Sequence, residues 1–220
     1  MNEDRPAPSE HRSLKIADYI SYAYLTFQRV LSLFFSTAVL RLTAAIFGIT
    51  IGKGTKCWGS VQLLRWPGSE ITIGKNVTIV SSSPRATASS IYAPTRFKTH
   101  SRSARIIIED RVGLNGTSLC ARSKSITIGE GTMIAPNVTI MDSDFHALWP
   151  PEKRLTAPSM EEDRDVLIGR NVWIGTQCII LKGAVIGENS VIAAGSVVRG
   201  EIPRGVLAGG VPAKVIRTLP

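Results

Sequence analysis

Residues 165–198 read DVLIGRNVWIGTQCIILKGAVIGENSVIAAGSVV, and a branched aliphatic residue returns at every sixth position of this stretch. Neither an α-helix, with its period of about 3.6 residues, nor an isolated strand, with its period of about 2, explains this spacing. A short repeat of this kind is typical of a solenoid, and hexapeptide repeats indicate a parallel β-helix. The members of the series are Ile168, Ile174, Ile180, Ile186, Ile192 and Val198.

The period also predicts which side chains stack in the interior. If three repeats close a coil of about 18 residues, Ile168 stacks on Ile186 and Ile174 on Ile192, at the roughly 4.8 Å spacing of neighbouring strands. A β-sandwich would instead show alternation of period 2, with turns about every 8–12 residues. Shorter series of the same period occur earlier in the chain: Ile51, Cys57 and Leu63; Ile73 and Ile79; Ile108, Leu114 and Cys120; Ile128, Ile134 and Ile140.

Three segments break the period and divide the chain. Residues 13–48 are apolar and predict one or two helices, and residues 81–104, rich in Ser, Thr and basic residues, predict an insert that does not form a coil. Residues 141–165 predict a polar loop, and loops of this length within a compact domain are usually functional. The predicted organisation is a flexible tail (1–12), a helical segment (13–48), a β-helix with its insert and loop (49–203) and a C-terminal tail (204–220).

The composition is that of a folded protein, with 44% hydrophobic and 20% charged residues. The formal net charge of +9 predicts an anionic partner, which could be nucleic acid, an acidic membrane surface or a phosphorylated ligand. The basic residues are dense between residues 85 and 124, but no nucleic-acid reading motif or aromatic platform accompanies them. We therefore expect no nucleic-acid partner, although a basic binding solenoid without catalysis is the alternative from another class.

The cysteines and the N-terminal segment bear on the compartment. The three cysteines form no CxxC pair, so that neither a disulfide framework nor a zinc knuckle is indicated, and we expect buried thiols in a reducing cytoplasm. The N-terminus lacks the order of a secretory signal. Arg29 and Arg41 interrupt its most apolar stretch, and for this reason a membrane-spanning helix is not expected.

From about Ile108 to its end, the sequence resembles the left-handed β-helix (hexapeptide-repeat) acyltransferases, which include the galactoside and maltose acetyltransferases. The resemblance implies a left-handed coil, use of acetyl-CoA as acyl donor, and a homotrimer with active sites between subunits. The blocks that carry it are IAPNVTI (134–140), DSDFH (142–146), NVWIG (171–175), AAGSVV (193–198) and GGVPAKVIR (209–217).

His146 is the candidate catalytic base. An alcohol at neutral pH is a poor nucleophile, and histidine, with an ordinary pKa of about 6.5, is well matched to removing its proton. The residue also matches the catalytic histidine of the family. Asp142 or Asp144 could accept its Nδ1–H and fix the tautomer, or both could simply be solvated in the loop. Asn115 matches a family position that contacts the acceptor, with a corner Asn of the solenoid as the alternative.

The same resemblance implies a set of coenzyme A contacts. The backbone N–H of Thr176 corresponds to the donor that polarises the thioester carbonyl, and Trp173 to the aromatic residue that walls the site. Arg199-Gly200 departs from the Thr-Lys common in the family, so that Arg199 would have to replace the charge of that lysine. The remaining implied contacts are Gly175, Ala193 and Ala194 for pantetheine, and Lys214 and Arg217 near the 3′-phosphate.

The predicted function is acetyl-CoA-dependent O-acetylation of a sugar hydroxyl, in a surface polysaccharide, a lipopolysaccharide or a lipid-linked glycan precursor. N-acetylation of a nucleotide-linked amino sugar is the alternative within the enzyme class. A zinc hydratase on the same solenoid would need three converging histidines. The chain has three in total, but His11 lies outside the repeats, so that no metal site is predicted.

Residues 13–48 contain too many large apolar side chains for a segment left in water, since burying one such side chain is worth about 1.5–3 kcal/mol. Two covers are compatible with the sequence. The segment could cap the open end of the β-helix, whose strand edges need protection. It could also contact an anionic membrane on the cytoplasmic side, supported by Lys15, Arg29 and Arg41. One helix could serve both purposes.

Overall fold

The computed structural model describes residues 14–155 and 160–220. The predicted flexible tail, residues 1–12, lies outside the described residues. The described chain forms one helix, α1 (Ile16–Ile46), followed by short strands that build three sheets. It also contains three short 3-10 turns, at Ser83–Arg85, Pro151–Lys153 and Met160–Glu162.

The strands belong in turn to sheet A, sheet B and sheet C, so that three consecutive strands make one coil. Sheet A contains β1 (Thr50–Ile51), β4 (Glu70–Ile73), β7 (Arg105–Ile108), β10 (Ser125–Ile128), β13 (Val166–Ile168), β16 (Val185–Ile186) and β19 (Glu201–Ile202). Sheet B contains β2 (Lys56–Trp58), β5 (Thr78–Val80), β8 (Gly113–Asn115), β11 (Met133–Ile134), β14 (Trp173–Ile174), β17 (Val191–Ile192), β20 (Val206–Gly210) and β21 (Ala213–Thr218). Sheet C contains β3 (Val61–Leu64), β6 (Thr95–Thr99), β9 (Ser118–Ala121), β12 (Thr139–Met141), β15 (Ile179–Ile180) and β18 (Val197–Val198).

The register confirms the predicted stacking. Ile168 pairs with Ile186 and Ile174 with Ile192, all in parallel strands and all buried. The three corners of each coil are named here by the sheets that they join: AB, BC and CA. Asn171 and Asn189 at corner AB have φ of 52° and 59°, a left-handed conformation in which asparagine is among the tolerated residues.

The prediction that residues 81–104 form no coil is wrong in its second half. Residues 95–99 form strand β6, which pairs with β3 and β9 in sheet C. Phe97 is fully buried between two buried threonines, Thr95 and Thr99, so that an aromatic residue fills the place of the usual aliphatic. Within residues 81–104, only residues 81–94 lie outside the coils, and we call them the 81–94 insert.

Two further predictions are corrected by the register. The solenoid does not end at residue 203, because β20 pairs with β17 in parallel and β21 then closes that end as an antiparallel strand. Cys120 does not point inward: it aligns with Lys98 and Met141 on the outer side, while the neighbouring Leu119 is buried. Cys57 and Cys178 are buried, as expected for all three cysteines.

Helix α1 packs across the first coil and caps its exposed strand edge. Thr37 Oγ1 accepts the N–H of Cys57 at 3.0 Å, and Ser36 Oγ accepts the N–H of Gly59 at 3.0 Å. Arg41 Nη2 donates to the carbonyl of Gly52 at 3.1 Å. These side chains satisfy backbone groups that would otherwise be a free edge.

By length and composition alone, helix α1 could cross a membrane. An 18-residue stretch of the helix has a mean hydropathy of 1.5, and only 11% of that stretch is buried. This criterion alone is weak evidence. The expectation from Arg29 and Arg41 that this helix does not span a membrane stays a prediction.

Candidate active site

His146 lies in the 141–165 loop, which leaves the solenoid at corner CA between β12 and β13. Its imidazole is exposed, and Nδ1 lies 2.7 Å from the backbone carbonyl oxygen of Arg154. Because a carbonyl only accepts hydrogen bonds, Nδ1 is assigned as the protonated nitrogen. The other nitrogen, Nε2, is then the unprotonated one, which is the tautomer that a general base requires.

The prediction that an aspartate fixes this tautomer is wrong. The carboxylate of Asp142 is buried and accepts the backbone N–H groups of residues 122, 123 and 124, at 2.7, 3.1 and 2.8 Å. Asp144 forms an ion pair with Lys182 at 2.6 Å. The orienting group is the Arg154 carbonyl, which no residue-type pattern can reveal because every residue carries such a carbonyl.

A buried charged cluster anchors the loop at both of its ends. Arg122 is only 4% exposed, and its Nη1 donates to Ser143 Oγ at 3.0 Å. The same nitrogen lies 3.7 Å from the carboxylate of Asp163, which also accepts the hydroxyl of Ser123 at 2.5 Å. Ser143 belongs to the first limb of the loop and Asp163 to the last, so that one arginine holds both.

Burial raises the pKa of Asp142, while its hydrogen bonds with the N–H groups of Arg122, Lys124 and Ser123 lower it. His100 lies beside the same corner, with its ring 5.4 Å from that of Phe145 and its Nε2 at 3.2 Å from Cys120 Sγ. Burial, followed by the nearby cations Lys98, Arg96 and Arg122, lowers the pKa of His100. The lowered pKa favours the neutral ring, which agrees with a structural role for this histidine.

Asn115 lies at the end of β8, next to corner BC. Its side-chain Nδ2 donates to the carbonyl of Ile134 in the next coil at 2.8 Å, and this contact favours the corner role that the sequence left open. The 81–94 insert covers the same corner. Within it, the N–H of Tyr92 donates to Asn137 Oδ1 at 2.9 Å, and Tyr92 Oη accepts from Gln177 Nε2 at 2.6 Å. This cover was not predicted from the sequence.

Thr176 lies at corner BC, one coil after Pro136, and its hydroxyl donates to the Pro136 carbonyl at 2.7 Å. Its backbone N–H has no hydrogen-bond partner within residues 14–155 and 160–220, and is therefore available to a ligand. Trp173 is 52% exposed on the outer side of sheet B, aligned with Met133 and Val191. This position agrees with a wall residue rather than with a core residue.

The predicted pantetheine contacts lie at the same corner. A Cβ added to Gly175 would come within 2.5 Å of the backbone nitrogen of Ala194, so that the coil stacking itself requires glycine there. Ala193 is half-buried and Ala194 is exposed. Of these three residues, Ala194 is the one that offers an open surface.

The predicted phosphate-binding cations fall into two places. Arg199 lines a cavity of about 520 Å³ at corner CA, together with Arg164, Lys182 and Asp144. Lys214 and Arg217 are exposed on β21, the last strand of sheet B. Lys182 and Arg164 were not identified from the sequence; their proximity to Arg199 depends on how the 141–165 loop folds back onto the solenoid.

The site residues of one chain are therefore split between two corners. His146, Asp144 and Arg199 lie at corner CA, whereas Thr176, Ala194 and Asn115 lie at or beside corner BC. The two corners are separated by the width of sheet C, whose longest strand has five residues, or about 16 Å at roughly 3.3 Å per residue. In the described part of the chain, no cluster of three or more His, Cys, Asp and Glu residues could hold a metal ion.

Comparison with known proteins identifies the repeat. Residues 165–200 match the family model described as bacterial transferase hexapeptide (six repeats). An Escherichia coli K12 protein named as a lipopolysaccharide biosynthesis O-acetyl transferase, WbbJ, is 36% identical over 118 residues, which are 51% of this chain and 60% of that protein. The galactoside O-acetyltransferase of Escherichia coli K12 is 42% identical over 95 residues, 43% of this chain and 45% of that protein. The chain thus matches about half the length of these curated relatives.

Solved structures agree on the fold. A hexapeptide-repeat acetyltransferase of Vibrio cholerae, solved with acetyl coenzyme A, aligns with a TM-score of 0.55 and 19% identity over 96% of this chain and 93% of that one. The N-acyltransferase AntD of Bacillus cereus aligns with a TM-score of 0.61 and 18% identity over 82% and 89%. The predicted fold, a left-handed parallel β-helix, and the resemblance to the hexapeptide-repeat acyltransferases are confirmed.

Proposed function

We propose that this chain is an acetyl-CoA-dependent O-acetyltransferase that acts on a sugar hydroxyl of a surface polysaccharide, a lipopolysaccharide or a lipid-linked glycan precursor. The observation that carries the proposal is the geometry of His146, an exposed imidazole whose Nδ1–H is bound to a backbone carbonyl. The two curated relatives described above are both named as O-acetyl transferases, one of them for lipopolysaccharide biosynthesis.

When bound, acetyl-CoA supplies the activated acetyl group as a thioester. Nε2 of His146 takes the proton of the sugar hydroxyl as its oxygen attacks the thioester carbonyl carbon. The Arg154 carbonyl keeps its hydrogen bond with Nδ1–H and stabilises the imidazolium that forms. The N–H of Thr176 donates to the carbonyl oxygen as negative charge develops there. When the carbon–sulfur bond breaks, the imidazolium returns the proton to the departing thiolate.

The cations at corner CA suit the phosphate groups of coenzyme A. The cavity of about 520 Å³ at corner CA presents Arg164, Lys182 and Arg199, which can neutralise a diphosphate. Lys182 is shared with Asp144 and Glu162, at 2.6 and 3.7 Å, but the two arginines form no ion pair with the described residues.

We also propose that the active enzyme is a homotrimer. The proposed base, His146 at corner CA, and the proposed donor, the N–H of Thr176 at corner BC, do not meet within one chain. They would meet if corner CA of one subunit packed beside corner BC of the next, and repeating this contact around a three-fold axis closes a ring. The split between the two corners is the support for this assembly.

We further propose that α1 contacts the cytoplasmic face of a membrane from its surface. The second half of α1 packs against the first coil, yet its side chains Phe35, Val39, Leu42 and Ile46 remain 58–70% exposed. A helix with exposed apolar side chains in a basic chain is typical of an interfacial position. A spanning orientation would place Arg29 near the centre of the bilayer, which is costly.

Substitution of His146 by Asn tests the central proposal. Asn cannot act as a base, so that kcat for acetyl transfer should fall by about 10²-fold or more. The measurement is release of free coenzyme A thiol, with acceptors drawn from glycan and sugar-nucleotide collections and the products identified by mass spectrometry. The thermal unfolding midpoint should stay unchanged, because the side chain is exposed. Activity within about threefold of the unsubstituted protein would contradict the assignment.

The identity of the product separates the two enzyme alternatives. An amino sugar on a nucleotide would give an amide, which survives mild alkali, whereas a sugar ester is hydrolysed. The structural likeness to an N-acyltransferase does not favour the amide, because 18% identity shows the fold alone.

A further inference from the structure

A second cavity lies between helix α1 and the 81–94 insert, with a volume of about 330 Å³. Leu25 and Pro84 give it an apolar part, and Arg29 and Arg85 are among its lining residues. Neither the helix nor the insert forms this cavity alone. The proposed acetyl transfer uses none of these residues.

Trp58 on the first coil contacts both residues, Arg29 through its backbone and Arg85 through its side chain. Its indole N–H donates to the backbone carbonyl of Arg29 at 3.2 Å, and the guanidinium carbon of Arg85 lies 5.0 Å from the centre of its ring. A cation over an indole ring is electrostatically stabilised, which fixes Arg85 against the wall.

No carboxylate neutralises this pair within the described residues. Neither Arg29 nor Arg85 forms a salt bridge there, and no acidic residue lines the cavity. The one acidic residue of α1, Asp18, accepts the backbone N–H of Lys15 at 2.7 Å and lies about 16 Å from Arg29 along the helix axis. The cavity is therefore positively charged and complementary to an anion.

We infer that this cavity binds the phosphate group of an anionic membrane lipid. Two guanidinium groups with several free N–H donors suit the oxygens of a phosphate. Other apolar side chains of α1, among them Phe27 and Leu31, are exposed and do not line the cavity. They would contact the acyl chains of the same lipid layer. A free anion would leave this apolar surface in water. The inference rests on the proposed interfacial position of α1, and adds to it a defined headgroup site.

Vesicle flotation of the full chain at about 0.1 M salt tests the site, with phosphatidylcholine alone and with phosphatidylglycerol added. Each arginine near an anionic surface contributes about fivefold in affinity, so that Arg29→Gln with Arg85→Gln should weaken binding to the anionic vesicles about 25-fold. The pair Arg29→Lys with Arg85→Lys keeps the charge but loses the planar donors, and should fall between.

The matched control is Arg170→Gln with Arg204→Gln, which changes the net charge equally. These exposed residues follow β13 and β19, in the fifth and seventh coils, roughly 19 and 29 Å from the first coil at about 4.8 Å per coil. Both distances exceed the screening length of about 10 Å, and we expect a change of less than about twofold. A loss equal to that of the Arg29 and Arg85 variant would show diffuse attraction only and overturn the site.

Two further outcomes are decisive. If the unsubstituted protein floats with anionic vesicles and the Arg29 and Arg85 variant floats equally well, α1 is interfacial but the headgroup site is absent. If inorganic phosphate at constant ionic strength changes the fluorescence of Trp58 as strongly as vesicles do, the site takes a free anion and the lipid assignment fails. The Trp58→Phe variant identifies that signal. Acetyl-transfer activity is measured separately with a soluble acceptor, so that its absence leaves the vesicle result intact.

Discussion

Thr176 occupies the corner position that Pro136 occupies one coil earlier, and each is followed by a residue with positive φ, Gln177 at 58° and Asn137 at 65°. Proline is favoured at this place in a turn, since its fixed φ fits and its missing N–H is not needed by the coil. The two residues therefore differ in one chemically useful way. Thr176 presents an N–H, and Pro136 does not.

Substituting Thr176 by Pro should remove this donor while keeping the corner. We expect kcat to fall by about 10²–10³-fold, the usual cost of losing one donor to a developing oxyanion. Thr176→Ala is the matched control, because it loses the hydroxyl and its bond to the Pro136 carbonyl but keeps the N–H. The two variants are compared by steady-state kinetics of coenzyme A release, and equal activity of both would remove Thr176 from the mechanism.

The 141–165 loop is the element on which His146 depends, and Arg122 is its main anchor. The guanidinium lies 6.0 Å from the ring of Phe145, whose φ of 66° is a left-handed conformation that a bulky residue rarely adopts. The N–H of Phe145 donates to Ser143 Oγ at 2.9 Å, and Ser143 is in turn bound by Arg122. The buried arginine thus supports the turn that precedes His146, the proposed catalytic base.

Arg122→Met should loosen this loop. It leaves the buried carboxylate of Asp163 without a cation, a change that costs about 3–5 kcal/mol when a buried pair loses one partner. We expect faster proteolysis within the loop and a kcat reduced more than KM is raised. Adding Asp163→Asn removes the unpaired charge and should recover part of the stability, measured by thermal unfolding. If the single variant matches the unsubstituted protein in both proteolysis and kcat, the cluster does not position the loop.

On the scale of the whole molecule, the three-sheet solenoid places the two halves of the candidate site on different corners. In the proposed trimer, a chain with an intact corner CA would supply the base to a neighbour with an intact corner BC. This arrangement can be tested without knowing the assembled structure, because a defect in one half leaves the other half of the same subunit usable.

Coexpressed His146→Asn and Thr176→Pro subunits should form mixed trimers with restored activity. Random assembly places an intact His146 beside an intact Thr176 at roughly one interface in four, so that about a quarter of the activity should return. Each variant expressed alone should stay inactive. Light scattering checks the assembly, and either a monomer at working concentration or a coexpressed sample no more active than its components would refute the shared site.

The sequence by itself determined the solenoid. The inward side chain of each strand recurs at a fixed interval, and burial of that side chain is a local requirement, which makes the pairs Ile168–Ile186 and Ile174–Ile192 readable from spacing alone. It also marked His146, since no other histidine lies in the 141–165 loop. The left hand of the coil came from the family resemblance and not from the period.

Only the tertiary structure decided which residues meet. Strand β6 escaped the pattern because Phe97 fills an aliphatic position, and whether an aromatic side chain fits there depends on the neighbouring coils that enclose it. The partner of His146 is a backbone carbonyl, which has no sequence signature. The assignment of Thr176 and His146 to different corners depends on every insert and loop that precedes them. Local spacing fixes the direction of a side chain, whereas its neighbours are set by the path of the whole chain.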